Sequence, residues 1–168
     1  MVRTLLILSV AMGFAACTFA DPVKKPTTVD SDKLTKECGT AFAKAIIEGK
    51  ADDALKLCAT PFLDPNGMVL DTLDNLKKEF SHAPPPGFEL KVVEAIALDK
   101  FNEWSKKKGS KELTAEQLKQ YGEFLGKDGR IVTLEVKVNG QVRQMDDTPH
   151  MLIRVKDGKA QIVGVGGR

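Results

Sequence analysis

Between Ile131 and Val165 the chain carries its densest strand patterning, folded back on itself by two turn signals, and this stretch restricts the fold more than any other. In Ile131-Val132-Thr133-Leu134-Glu135-Val136-Lys137-Val138 the even positions are apolar and the odd ones from Thr133 on are polar, which is the period of a half-buried strand. Asn139-Gly140 follows, and both residues tolerate the positive φ of a type I′ turn, so a hairpin is predicted. His150 to Lys156, Asp157-Gly158 and Lys159 to Val165 make a second hairpin. The result is an antiparallel meander whose inward positions, Val132, Leu134, Val136, Met151, Ile153 and Val155, are uniformly apolar. His150 shares parity with Leu152, Arg154 and Lys156 and is expected on the polar face.

The first residues stand apart from the fold. Arg3 precedes an apolar run, Leu5 to Phe14, that ends among small residues, the pattern of a secretory signal peptide and too short to span a bilayer. Cleavage after Thr18-Phe19-Ala20 divides the chain into a leader (1–20), a Pro- and Lys-containing tether (21–30) and one domain (31–168). Phe14-Ala15-Ala16-Cys17 also resembles a lipoprotein box, so lipidation at Cys17 is the alternative. The expected location is the periplasm or the exterior, either free or lipid-anchored, with no membrane span.

Charge excludes one class of partner. The chain of 168 residues has 25 Lys and Arg against 23 Asp and Glu, a near-neutral balance that supplies no field for nucleic acid. The basic run Lys106-Lys107-Lys108 has Glu103 and Glu112 beside it and reads as a solvated helix end. Without the leader two thiols remain, Cys38 and Cys58, in an oxidising compartment.

Taken in order, the chain predicts a helix capped by Ser31 or Asp32, with Leu34, Cys38, Ala41, Phe42, Ala45 and Ile46 on one face, ending at Gly49. A short helix, Ala54 to Ala59, follows and stops at Pro61. An antiparallel arrangement of the two would bring Cys38 near Cys58, and either a disulfide or two separately buried thiols fits that geometry. Pro61-Phe62-Leu63 and Met68-Val69-Leu70 flank the turn Asp64-Pro65-Asn66-Gly67. Asp71 caps a third helix that Pro84-Pro85-Pro86-Gly87 terminates, and Phe88 to Leu98 is a long strand. A helical insertion then precedes the meander, with Phe101 and Trp104 in its first piece. In the second piece Thr114 and Gln117 form a capping box, Leu118, Tyr121 and Leu125 make the buried stripe, and Gly126 is the stop.

This order resembles the nuclear transport factor 2-like (SnoaL-like) superfamily. The resemblance is carried by Thr40 to Lys50 with Ala51-Asp52-Asp53-Ala54-Leu55, by Pro61-Phe62 with Gly67, and by Val155 to Gly164. It implies an α+β fold, a curved antiparallel sheet wrapped around the N-terminal helix as a cone in a cystatin-like layout, here with a helical insertion over roughly 99–128. It also implies a pocket at the open end of the cone, lined by Phe42, Leu90, Val92, Trp104, Val132, Leu134, Val136, Met151 and Ile153. Such a pocket holds a catalytic group, a ligand or only side chains, so fold does not decide function.

Glu94 is the polar residue that strict alternation places among Phe88, Leu90, Val92, Ile96 and Leu98, where desolvation would raise its pKa as a general base requires. A bulge at Val92-Val93 would instead turn it outward. Tyr121 is the candidate donor to act with it. The two histidines, His82 and His150, lack a Cys or His cluster, and Asp71 with Asp74 and Asp146-Asp147 lack the spacing of a calcium loop, so no metal or cofactor is expected. The function expected is that of a noncatalytic binding or interaction module. It would take a small apolar or amphipathic ligand in the cone, or a protein partner, with homodimerisation through the sheet face. The alternatives are an isomerase or lyase using Glu94, and a cystatin-like inhibitor presenting Pro84-Pro85-Pro86 as a wedge.

Overall fold

The computed structural model describes residues 30–82, 84–143 and 147–167. The leader, Cys17, all but the last residue of the tether, and Asp146 lie outside them. Helix α1 (Ser31–Ile47) is capped one residue earlier than expected, by Asp30, whose carboxylate accepts the Lys33 amide at 3.1 Å. The short helix α2 (Ala51–Lys56) is shifted toward the N-terminus relative to the expected Ala54 to Ala59. Cys58 instead opens strand β1 (Cys58–Leu63). Sheet pairing is the reason: Ile162 N–H donates to Leu57 O at 2.8 Å and Cys58 stands opposite Ile162, so backbone bonding to the last strand outweighs local helix propensity.

Strand β2 (Val69–Leu70) folds back on β1, and α3 (Leu73–Phe80) ends ahead of the prolines, with Thr72 at its N-cap position where Asp71 was expected. Strand β3 (Phe88–Ile96) stops two residues short of Leu98, which begins α4 (Leu98–Lys108). Helix α5 (Ala115–Leu125) has the predicted capping box, both Thr114 and Gln117 bonds being present. The meander follows as β4 (Arg130–Val138), β5 (Gln141–Val142), β6 (His150–Lys156) and β7 (Lys159–Gly166). Its turns are the predicted ones, with φ of 52° and 77° at Asn139-Gly140 and 51° and 72° at Asp157-Gly158.

The strands form one sheet in the order β2-β1-β7-β6-β4-β3, with β5 paired to β4. All pairings are antiparallel except β1 with β7. One face packs on α1, where Phe42, Cys38 and Ala45 share a cluster with Val132, Met151, Ile153 and Ile162. Helices α4 and α5 cover part of the opposite face, where Phe101, Tyr121, Phe124 and Leu125 meet Ile131, Leu152 and Val163. The sheet is therefore buried on both sides along its centre, and each fully buried Leu, Ile or Phe there contributes about 1.5–3 kcal/mol. No helix among the described residues is long and apolar enough to cross a membrane.

Candidate functional site

The helical insertion, placed on the outer face, moves the chemistry away from the cone. Successive residues of β6 point to opposite sides, so Met151 and Ile153 face α1 while His150 and Leu152 face α4 and α5. His150 is not on a solvated polar face, as its parity with Arg154 and Lys156 suggested; it is 5% exposed. Its ring lies 5.7 Å from that of Phe101 and 5.5 Å from that of Tyr121, because the insertion covers the start of β6 and leaves Lys156 at the other end exposed.

Hydrogen bonding fixes the proton positions of this pair. His150 Nδ1 is 2.7 Å from Thr148 O, a carbonyl that can only accept, so Nδ1 carries the proton. In the neutral ring Nε2 is then the acceptor, and the Tyr121 hydroxyl, 3.0 Å away, donates to it. Burial holds the His150 pKa below its ordinary value, which keeps the ring neutral, and burial with the Asp147 charge raises that of Tyr121.

Tyr121 and His150 line a cavity of about 350 Å³ on the outer face. Leu63 and Leu113 contribute apolar lining, and Asp147 and Lys111 contribute charge. Three local devices shape it. The Asn102 side chain grips the Leu113 peptide from both sides, donating to Leu113 O and accepting from Leu113 N at 2.9 Å each, which secures the α4–α5 connection. Asp147 and Thr148, just ahead of β6, line the cavity beside His150. Gly166 lies against the pair: a β-carbon there would stand 2.5 Å from His150 Nε2 and 2.8 Å from the Tyr121 hydroxyl, closer than any side chain can sit.

Glu94 is elsewhere. Val92 opposes Leu134 and Glu94 opposes Thr133, so Val93 is a bulged extra residue and the strand changes faces after Val92. Val92 and Ala95 pack toward α1, while Ile96 joins the outer-face cluster with Trp104. Glu94 accepts from Trp104 Nε1 at 2.8 Å and borders a separate hollow of about 410 Å³ with Trp104, Lys107 and Arg130. The expected pairing of Glu94 with Tyr121 is therefore absent, the two lining different cavities.

Of the residues expected to line the cone, Phe42, Val132, Met151 and Ile153 are buried in the inner cluster, with Val92 and Leu134 packed against it. Leu90 and Val136 are half-buried cross-strand partners. Trp104 is not among them; it stacks on Phe101 on the opposite face, with ring centres 5.6 Å apart. Cys38 and Cys58 are free, buried thiols of the inner cluster, donating to Ala160 O and Ala54 O at 3.6 and 3.4 Å. Desolvation pushes them up to about 11 and about 12. Among the described residues no group of His, Cys, Asp and Glu could hold a metal ion.

Several solved structures are similar to this chain in fold. One is the ketosteroid isomerase-like protein from Erwinia carotovora atroseptica, with TM-score 0.50 and 10% identity over 82% of this chain and 94% of that one. The chain has a nuclear transport factor 2-like fold. A protein of unknown function with a cystatin-like fold from Nostoc punctiforme is also similar, with TM-score 0.48 and 14% identity over 80% of this chain and 88% of that one. So is the nuclear transport factor 2-like protein of unknown function from Cytophaga hutchinsonii, with TM-score 0.41 and 12% identity over 80% and 88%. No family model and no curated protein matches the sequence. At these identities the likeness establishes fold alone, and function rests on the site.

Proposed function

We propose that this nuclear transport factor 2-like protein is a noncatalytic binding module whose ligand occupies the outer-face cavity closed by Tyr121 and His150. The observation that carries this reading is the direction of the hydrogen bonds. Tyr121 donates to His150 and His150 donates to Thr148 O, so both protons point into the protein. A general acid must offer its proton to the substrate, and a general base must accept one near the working pH. A buried imidazole with a depressed pKa and a phenol with a raised one suit neither task, while the phenolic oxygen still offers a lone pair for recognition. The cone is a weaker candidate, because Phe42 and its neighbours already fill the space against Val132, Met151 and Ile153.

The test is a two-dimensional NMR screen with small alkylamines, alcohols and carboxylates, read on backbone amides and the His150 ring. Shifts are expected around Tyr121, Leu113, Asp147 and Gly166, and they disappear in Gly166→Ala. Shifts centred on Phe42 and Met151 would instead assign the ligand to the cone. Chemical conversion of a probe that is lost in Tyr121→Phe would make the protein an enzyme.

Export belongs to the same reading, supported by the apolar run Leu5 to Phe14 and the small residues after it. The mass of the protein isolated from its own cell distinguishes cleavage after Ala20 from lipidation at Cys17.

A further inference from the structure

Several donors at the outer-face cavity are already committed, and one acid that lines it lacks a hydrogen bond. Tyr121 and His150 have their protons committed to each other and to Thr148 O. Leu113 N donates to Asn102, and Gln120 Nε2 donates to Gly67 O at 3.4 Å. Three carboxylates line the cavity, Asp64, Glu112 and Asp147, against one lysine, Lys111. Two of the acids are engaged: Asp64 accepts from the amides of Asn66 and Met68, both at 2.8 Å, and Glu112 pairs with Lys106 at 3.3 Å.

Asp147 differs from the other two. Its Oδ1 is buried and makes no hydrogen bond among the described residues. Lys111 Nζ stands 3.4 Å away as a counter-ion outside hydrogen-bond geometry, on a side chain that is 69% exposed. A buried carboxylate oxygen left without a donor costs free energy that a well-placed N–H recovers, and a charged donor recovers most. Leu63, Leu113 and Phe101, which also line the cavity, suit a short alkyl chain.

We propose that the cavity takes a small primary alkylamine, whose ammonium group replaces Lys111 at Asp147 Oδ1 while Tyr121 Oη accepts a second N–H. The assignment rests on the outer-face reading above and adds the chemical class of the ligand. It gives the two charged residues opposite roles. Asp147 binds the ligand, and Lys111 competes with it for the same oxygen.

The experiment is an NMR titration of the full mature protein with butylamine, butanol and butyrate, repeated in Asp147→Asn and Lys111→Gln. Butylamine is expected to bind best, to weaken by roughly tenfold or more in Asp147→Asn, and to tighten by about two- to fivefold in Lys111→Gln. Lys111→Gln alters only an exposed side chain, so it reports even if Asp147→Asn perturbs the backbone around it. Butyrate or butanol binding as well as butylamine, or Lys111→Gln weakening the amine, overturns the amine assignment and leaves the outer-face site standing. No shift at any cavity residue with any of the three probes removes both.

Discussion

Tyr121 donates its phenolic hydrogen to His150 Nε2 across 3.0 Å, joining the middle of α5 to the first residue of β6 on the sheet face away from α1. His150 is buried, and among the described residues Tyr121 is the partner of its Nε2. Tyr121→Phe removes the donor and leaves a buried acceptor unpaired, at a cost of about 1–3 kcal/mol. Urea unfolding of the variant measures it, and a loss well under 1 kcal/mol would mean that water or another group replaces the phenol.

The same burial sets a pH dependence. The folded-state pKa of His150 lies below its ordinary 6.5, chiefly through desolvation, so between those two values the unfolded chain binds the extra proton. Stability therefore rises with pH across that window and falls as pH drops below about 6.5. Chemical denaturation at about pH 7.5 and about pH 5.5 should show a larger loss for the natural protein than for His150→Gln. Equal losses would indicate an imidazole that charges freely in the folded state.

Two glycines separate packing from conformation. Gly122 in α5 is helical, and an added β-carbon would meet Leu98 at an ordinary 3.5 Å, so Gly122→Ala is expected to stabilise by about 0.5–1 kcal/mol. Gly166→Ala forces a methyl group against His150 and Tyr121 and is expected to cost about 1–3 kcal/mol and displace both rings. Thermal melts rank the two, and the aromatic NMR spectrum shows whether the Tyr121–His150 contact has opened.

The meander was legible in the sequence because its information is local: alternation names the inward side and Asn139-Gly140 and Asp157-Gly158 name the turns. The hairpin at Asn139-Gly140 is short, since β5 comprises only Gln141 and Val142 and β4 pairs further with β6. The candidate site was less legible, because it exists only where distant segments meet. Parity assigned His150 to the side of Arg154 and Lys156, but that side is covered by helices whose docking site no local pattern specifies. A signal was present in Ile131 and Leu152, apolar residues at outward positions, and in an insertion carrying Phe101, Trp104, Tyr121 and Phe124. Together they require an apolar outer face. Glu94 failed for a different reason, since one bulged residue reverses every later position of a strand.

Trp104 reports on Glu94. It is the single tryptophan, and its indole donates to the Glu94 carboxylate at 2.8 Å. Glu94→Ala removes the acceptor and is expected to cost about 1 kcal/mol and move the fluorescence emission to the red as the ring gains water contact. Glu94→Gln keeps an acceptor oxygen and leaves the emission nearly unchanged. Identical spectra for the two variants would show that Glu94 does not hold the indole.

The buried thiols give a chemical test of the inner core. With Cys38 raised to about 11 and Cys58 to about 12, little thiolate exists near neutral pH, and both should react very slowly with a disulfide reagent in the folded protein. Unfolding without reductant is expected to release two reactive groups. Release of none would reveal a Cys38–Cys58 bond in the isolated protein.

The sheet, apolar on both faces along its centre, acts as a partition between two packed compartments. The cluster around Phe42 and the one around Phe101 and Tyr121 share no buried residue. Free-energy changes made on the two sides should be close to additive. Side chains around the outer cavity are then free to vary for a new ligand while the compartment on the α1 side preserves the fold.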